Sequence, residues 1–401
     1  MQWPLLVVAV GSLVTPKGAV RSIPIHYTKN LSTEFLAQEE RVYLDKCPCN
    51  DSGYVSKSLC LPVDFAGKKP RKEVFAFSVA TNDSWKHYDW DQLTTVAWNE
   101  DKNLLCHAHS KGVKVVVKHN FDDMNQLCNI SARQEWVQAT YYKIVKNYAD
   151  GVNIDTEKPS QGATSHCLGL LVNELRQELK KHALTKNAQI TFDVPWAPRG
   201  VDGRYYPWRD LATAVDFLFV MSYDMRSQVF DTCVGGANSP LALVKQGLQE
   251  FILAYDIVPN KLVLGVPWYG YQYSCIHKQQ SAASNYDALC QIQQIPFLGA
   301  PCSDAAGEQI DYGNIRRLIK ENGLVEQWDM MTLSPFVWLS TQEGGQSQIW
   351  FDNPRSLEEK YSIVRDLGLR GVGMWNADSL DYSAADDSKA MWSSLAAAFK
   401  A

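Results

Sequence analysis

Apart from K-K-P-R-K at 68–72, the sequence has no run of Lys or Arg, and it has no basic face that would hold phosphates by counterion release. Its formal net charge over 401 residues is -5, with an isoelectric point near 5.9. Nucleic acid is therefore not an expected partner. Metal-ligand spacing is missing too: Cys47-Pro48-Cys49 with Cys60, and C-H-A-H at 106–109, lack a second Cys-x-x-Cys or a His-x-x-x-His. No metal and no cofactor is expected. The apolar block in M-Q-W-P-L-L-V-V-A-V-G-S-L-V at 1–14 is too short to span a bilayer, so a membrane partner is not expected either. That block has the length of a signal-peptide h-region, although no Lys or Arg precedes it; a buried amino-terminal strand is the alternative.

What is present fits a large soluble core: 46% of residues are hydrophobic and 21% charged. Ten cysteines form an even set, as expected in an oxidising compartment, with pairings that spacing alone leaves open. Four N-x-[ST] sequons, at Asn30, Asn50, Asn82 and Asn129, exceed the roughly two expected by chance. Together these suggest a signal peptide over 1–19 and a secretory route. Residues 20–46 are polar and without period, a leader or surface segment, and the ordered body is expected over 47–401.

Eight short apolar runs punctuate that body. They are V-F-A-F at 74–77, T-T-V-A-W at 94–98, V-V-V at 115–117, D-G-V-N-I-D-T-E at 150–157, I-T-F-D-V at 190–194, F-L-F-V-M-S-Y-D at 217–224, L-V-L-G-V at 262–266 and G-V-G-M-W at 371–375. Helical spacing lies between them, as at 104–112 and 357–367, each followed by a Gly placed to end a helix. Strand and helix alternating eight times predict an α/β fold, a parallel (β/α)8 TIM barrel whose strands are buried on both faces. About a hundred residues separate Tyr271 from Gly371, far more than an ordinary connection. An inserted lobe at about 275–365 is expected there, where Cys275, Cys290 and Cys302 could staple it.

The run at 150–157 carries the chemistry. Strand alternation sends Asn153, Asp155 and Glu157 to one face and Val152, Ile154 and Thr156 to the other. Taken alone, the octapeptide also fits a half-exposed antiparallel strand with its polar face in water. In a barrel the polar set faces inward, where a buried carboxyl tends to keep its proton and can donate it. Aromatic and polar residues gather where other strands end: Trp196, Met221, Tyr223, Asp224, Trp268, Tyr269 and Trp375. That end of such a barrel is its active face, and flat rings beside acids suit pyranose sugars. Phe75, Phe192 and Phe217 read as filling for the barrel layers.

These motifs resemble glycoside hydrolase family 18, the chitinase-like TIM barrels. D-G-V-N-I-D-T-E is similar to the family's D-G-x-D-x-D-x-E signature, M-S-Y-D at 221–224 to its M-x-Y-D strand, L-G-V-P-W-Y-G at 264–270 to its seventh strand, and G-M-W at 373–375 to its eighth. F-D-V-P-W at 192–196, P-W-Y-G-Y at 267–271 and A-P-C-S-D-A-A-G at 300–307 resemble a branch of the family that also has Asn at the first inner acidic position. The resemblance covers about Cys47 to the end. It implies hydrolysis with retention, in which the substrate's own N-acetyl group is the nucleophile, an exception to the two-carboxylate scheme. Glu157 matches the general acid, Asp155 the residue that orients the acetamido group, and Tyr223 a donor to its carbonyl oxygen. Trp375 matches the floor under the reacting sugar, and Met221, Asp224 and Tyr269 match positions lining that subsite. Trp196 and Trp268 are placed there by position alone. Asn153 departs from the signature, since an amide cannot take up the charge of an Asp; an Asp in its place would share a proton with Asp155 or move the alkaline limb of activity upward.

The resemblance thus implies an exo-acting enzyme, lysosomal or else secreted and expected as a monomer, whose partner is an oligosaccharide containing N-acetylglucosamine. β1,4-linked pairs such as the chitobiose core of N-linked glycans are the expected substrate. A secreted endo-chitinase and a non-catalytic chitinase-like lectin are the alternatives. The chain has no separate Cys-rich chitin-binding module, and it keeps the acid that such lectins usually lose.

Overall fold

The computed structural model describes residues 43–50, 56–64, 71–279, 289–340 and 344–399. The signal-peptide and leader expectations at 1–19 and for most of 20–46 lie outside the described residues. So do Asn30 and the side chain of Asn50; Asn82 and Asn129 are exposed. The chain divides into a unit ending at Cys47, in which residues 43–45 are helical, and a unit from Pro48 to Ala401 that holds the barrel.

Eight parallel strands close into that barrel: Glu73–Phe77, Thr95–Ala97, Lys114–Lys118, Gly151–Ile154, Gln189–Pro195, Phe217–Met221, Leu262–Pro267 and Gly371–Trp375. Each run read as a strand forms one, and the last pairs with the first, Val74 opposite Val372. Closure leaves the barrel sheet with no open edge.

Two layers of core arise from strand alternation. Val152 and Ile154 face outward into the main core with Leu168, Leu171 and Leu175 of helix Gly162–Leu179, whose apolar spacing of three and four residues makes one continuous stripe. Inside the barrel, Phe75, Phe77, Phe217 and Phe219 stack edge to face as a plug. Phe192 joins the outer layer and not the plug: Thr191 and Asp193 take the inward positions of its strand, so Phe192 meets Tyr206 edge on outside the barrel. Gly265 and Gly373 flank the Phe219 ring so closely that a Cβ would lie 2.4 and 2.5 Å from its atoms.

Helix ends explain small offsets from the sequence reading. The helix expected from Leu104 starts at Lys102, because the Asp101 carboxylate accepts from the amides of Asn103 and Leu104 at 2.6 and 3.2 Å. A cap of this kind contributes about 1 kcal/mol. Its predicted stop, Gly112, has φ 70°, and Gly368 after helix Pro354–Asp366 has φ 66°.

The insertion is a five-stranded antiparallel sheet in the order Gly307–Asp311, Tyr269–Cys275, Gln346–Trp350, Ser334–Ser340, Gln327–Asp329, with helix Tyr312–Asn322. It begins earlier than 275, since the seventh barrel strand runs through Trp268 straight into Tyr269–Cys275. It also ends before 365, since Pro354–Asp366 is the helix leading into the eighth strand. Cys275–Cys290 staples the lobe internally, whereas Cys302 reaches Cys233 in the loop after the sixth strand. Cys49–Cys106 joins the two cysteine runs whose spacing argued against metal, and Cys128–Cys167 ties the loop before helix Ile130–Lys146 to helix Gly162–Leu179. Among the described residues no cysteine is free, and no helix is long and apolar enough to cross a membrane.

Candidate active site

A cavity of about 390 Å³ opens at the carboxyl ends of the strands. Its walls include Asp155, Glu157, Trp196, Met221, Tyr223, Asp224, Tyr269 and Trp375, eight of the residues singled out from sequence. Two were misplaced. Trp268 is fully buried in the outer core, where its indole meets Trp392 edge on and donates to the Tyr361 hydroxyl at 3.2 Å. Tyr269 takes the inward position beside it, so alternation turns Trp268 away. Asn153 points into the barrel but lies beneath the cavity, fully buried. Its oxygen accepts from the Trp98 indole at 2.6 Å, and its amide nitrogen donates to Thr191 Oγ1 at 2.9 Å and Asp193 Oδ1 at 2.7 Å.

The acidic strand ends at Ile154, and the turn beyond it is held by neighbouring segments. Asn120 clamps the Asp155 backbone from both sides, its Oδ1 accepting from the amide at 2.8 Å and its Nδ2 donating to the carbonyl at 2.6 Å. The Tyr206 hydroxyl shares its one proton between the carbonyls of Thr156 and Lys158, bracing the turn that carries Glu157. The loop after the fifth strand then pairs with this turn, Ser160 bridging to Arg204 in parallel fashion. Arg204, itself buried, donates from Nη1 to Glu157 Oε2 at 2.8 Å and from Nη2 to Asp202 Oδ2 at 2.6 Å.

The expectation of a buried acid is met not at Glu157 but at Asp155, the preceding inward position. The Glu157 side chain is 49% exposed at the cavity mouth, while Asp155 is buried. Burial, and then the Glu157 charge, push the Asp155 carboxyl up to about 6; Lys118, whose Nζ lies 3.2 Å from Asp155 Oδ2, pulls the other way. Glu157 lies close enough to Asp155 for its charge to make the Asp155 carboxyl harder to ionise.

Around this pair stands an aromatic wall. Trp375 meets Trp98 edge on with centroids 4.8 Å apart, and Phe77 lies 5.0 Å from each. Trp98 also carries Lys118 Nζ 3.5 Å over its ring. Trp98 at φ 80° and Asp224 at φ 50°, each just past the end of a barrel strand, adopt the left-handed backbone that places them in the mouth. Across the cavity, Tyr223 packs edge on against Tyr269, and the hydroxyls of Tyr269 and Tyr271 both donate to Asp224 Oδ1. Burial raises Asp224 to about 6 in spite of these donors. It raises Asp304, in the A-P-C-S-D run, to about 7, with the Asp224 charge adding to the effect.

Sequence reasoning missed Trp98, Lys118, Asp193, Arg204, Tyr271 and Asp304. Asp193 was legible, because I-T-F-D-V alternates polar against apolar and Asp193 shares a face with Thr191. Arg204 and Asp304 sit in loops, where no period marks direction.

A parallel barrel with an acid pair and an aromatic floor at its carboxyl-terminal mouth is the architecture of a sugar-cleaving barrel enzyme, and the comparisons with known proteins narrow it. Residues 58–379 match the model of glycosyl hydrolases family 18. The chain belongs to that family and is a glycosidase. It is 38% identical to the di-N-acetylchitobiase of Rattus norvegicus over 89% of this chain and 94% of that protein, and 38% identical to the di-N-acetylchitobiase of Homo sapiens over 87% and 88%. Among solved structures, a variant of the class V chitinase from Nicotiana tobaccum in complex with NAG4 superposes with a TM-score of 0.66 at 17% identity, covering 82% of this chain and all of that one. At that identity the likeness shows the fold alone.

Proposed function

We propose that the protein is a retaining, substrate-assisted hydrolase that removes one N-acetylglucosamine from β1,4-linked pairs, including the chitobiose core of N-linked glycans. The observation that carries this is the Asp155–Glu157 pair, two acids lining one cavity with Tyr223 and Trp375. The relatives named as di-N-acetylchitobiases, similar over nearly their whole length, support the same substrate.

In this reading Glu157 gives its proton to the glycosidic oxygen as the C1–O bond breaks, and the leaving sugar departs as an alcohol. The acetamido carbonyl oxygen bonds to C1 from the opposite face, forming an oxazolinium ion. Asp155 accepts a hydrogen bond from the acetamido N–H and steadies the positive charge, and Tyr223 donates to the carbonyl oxygen. Glu157, now a carboxylate, then takes a proton from water, whose oxygen attacks C1 and reopens the ring with net retention. Arg204 fixes the Glu157 rotamer throughout.

Exo action is supported by the lobe tip, where Phe297, Ser303 and Asp304 line the cavity and Cys233–Cys302 anchors the segment. Cysteines that are all disulfide-bonded among the described residues and two exposed sequons support a secretory route, and the acid requirement of the mechanism suits a lysosomal site.

Incubation with reducing-end-labelled chitotriose in acidic buffer, followed by mass analysis, tests the reading. Cleavage at one of the two bonds alone, read from the position of the label, supports it, cleavage at both bonds from the outset favours the endo-chitinase, and no cleavage the lectin. A thiazoline analogue of N-acetylglucosamine is expected to inhibit competitively; a sugar trapped covalently on a side chain would refute substrate assistance.

A further inference from the structure

Asp202 lines the cavity beside Arg204, and the reaction above gives it no task. Its backbone is left-handed, with φ 55°, a conformation that favours glycine, yet an acid stands there. Neighbours on two sides fasten it. Its amide donates to Gln228 Oε1 at 2.9 Å, its Oδ1 accepts from Ser227 Oγ at 2.9 Å, and its Oδ2 accepts from Arg204 Nη2 at 2.6 Å.

Arg204 takes its direction from that last contact. Its backbone is pinned to the turn that carries Glu157, Ser160 N donating to the Gly203 carbonyl at 3.0 Å and Tyr205 N to the Ser160 carbonyl at 2.9 Å. Its side chain is buried, and among the described residues its Nε has no hydrogen-bond partner while its Nη donors go to Glu157 and Asp202. Of these two acids Glu157 is half-exposed, whereas Asp202 is largely covered and held from behind. The fastening continues to the lobe tip, where Gln228 Nε2 donates to the Leu298 carbonyl at 3.1 Å. The loop that carries Ser227 and Gln228 is locked to the same tip: Val229 N donates to the Cys302 carbonyl at 2.9 Å, Asp304 N to the Arg226 carbonyl at 2.9 Å, and Cys233 is bonded to Cys302. A chain of hydrogen bonds thus runs from Leu298 through Gln228, Asp202 and Arg204 to Glu157.

We propose that Asp202 is a positioning residue for the reaction: held by Ser227 and Gln228, it aims the Arg204 guanidinium at Glu157 and so keeps the donor carboxyl at the glycosidic oxygen. The inference rests on the functional reading above. A half-exposed carboxyl on a flexible stem visits several rotamers, and proton transfer needs the one within hydrogen-bond reach of the leaving oxygen. A buried guanidinium removes that freedom before substrate binds, because its planar fork, fixed at one edge by Asp202, presents the donors of the other edge in a set direction. Through Asp202 the lobe tip that walls the cavity and the acid that cleaves are set by one network.

The test compares kcat/KM, which reports the bond-breaking step, on chitobiose and on the dinitrophenyl β-glycoside of N-acetylglucosamine, whose leaving group departs as an anion and needs no proton. Thermal unfolding checks that each variant is folded. Asp202→Ala is expected to lose about tenfold or more on chitobiose and no more than about twofold on the aryl glycoside. Gln228 does not line the cavity, so Gln228→Met, which removes the amide and keeps the reach of the side chain, acts only through Asp202. It is expected to show the same split more weakly, about threefold on chitobiose, which separates the aiming of Arg204 from direct contact between Asp202 and the leaving sugar. A merely structural Asp202 would slow both substrates alike. Equal losses on the two substrates, or a Gln228→Met variant as fast as the wild type, overturn the proposal. Should Asp202→Ala fail to fold, the split in Gln228→Met decides. Should the wild type not cleave the aryl glycoside, Asp202→Asn decides: its oxygen can accept from Arg204 and its amide can donate to Ser227, so most of the chitobiose activity lost in Asp202→Ala is expected back, and activity as low as that of the alanine variant overturns the proposal. A wild type inert on chitobiose would instead overturn the functional reading, and this inference with it.

Discussion

At the scale of single residues, the site divides its labour between an exposed donor and a buried helper. Glu157 reaches the mouth, where a glycosidic oxygen can meet it, and Arg204 holds it there. Glu157→Gln keeps the shape and removes the proton, so kcat on chitobiose is expected to fall at least about a hundredfold with KM little changed. Turnover close to wild type would remove Glu157 from the role. Asn153 yields a prediction that the sequence framed differently. An Asp there would face Asp193 Oδ1 across 2.7 Å, so its proton partner is Asp193 and not Asp155. Two carboxyls so close cannot both ionise, and the pair shares a proton. Asn153→Asp is therefore expected to leave the alkaline limb near its wild-type position and to lower the melting temperature; a limb displaced by a full unit would contradict the pairing.

At the scale of elements, precision comes from neighbours more than from the strand itself. The acidic strand stops at Ile154, yet Asp155 and Glu157 are fixed because Asn120, Tyr206 and Arg204, from flanking segments, fasten the turn beyond it. The plug below depends on glycine in two adjacent strands. Gly373→Ala would place a methyl 2.5 Å from both Phe219 Cε2 and the Phe75 carbonyl oxygen, with backbone on one side and a packed ring on the other. Overpacking of this kind costs about 1–3 kcal/mol, and denaturant unfolding of the variant should show a lowered midpoint at unchanged slope. The His109 ring is another fixed joint. Its Nδ1 lies 2.6 Å from the Leu59 carbonyl and its Nε2 2.9 Å from Asp150 Oδ2, so both nitrogens face acceptors and only the charged ring satisfies both.

At the scale of the whole molecule, these ionisations act in one direction. Burial raises Asp155 and Asp224 to about 6 and Asp304 to about 7. His109 is raised as well, Asp150 outweighing the opposing burial. For each, the folded state binds its proton more tightly than the unfolded chain. Their contribution is full below the unfolded values, about 4 for the acids and about 6.5 for histidine, and is lost as pH rises through the folded ones. Glu178, lowered to about 2, acts in the opposite sense only in stronger acid, while His107 and His119, both lowered by burial, oppose part of the gain as pH falls below about 6.5. The melting temperature is therefore expected to be a few degrees higher near about pH 5 than near about pH 7.5. A protein more stable at the higher pH would show that other groups dominate.

The sequence alone determined a parallel α/β sheet, because eight apolar strands with helical spacing between them bury both faces under helices, and the count of eight suited a closed barrel. It also determined which residues of 150–157 face inward, because side chains alternate along a strand with period two. The same rule, applied with more care, would have turned Trp268 outward and Phe192 with it, and brought Asp193 in. Tertiary structure alone decided the rest. Arg204 and Asp304 reach the cavity from the connections between strands, which have no strand period; Lys118 meets Asp155 because the third strand pairs with the fourth and sets Lys118 opposite Asn153; and Cys302 chose Cys233 over its lobe neighbours because the chain fold placed them together. Where the acids hold their protons was likewise decided in three dimensions, since burial and the nearest cation, not position in the chain, set the charge of a carboxyl.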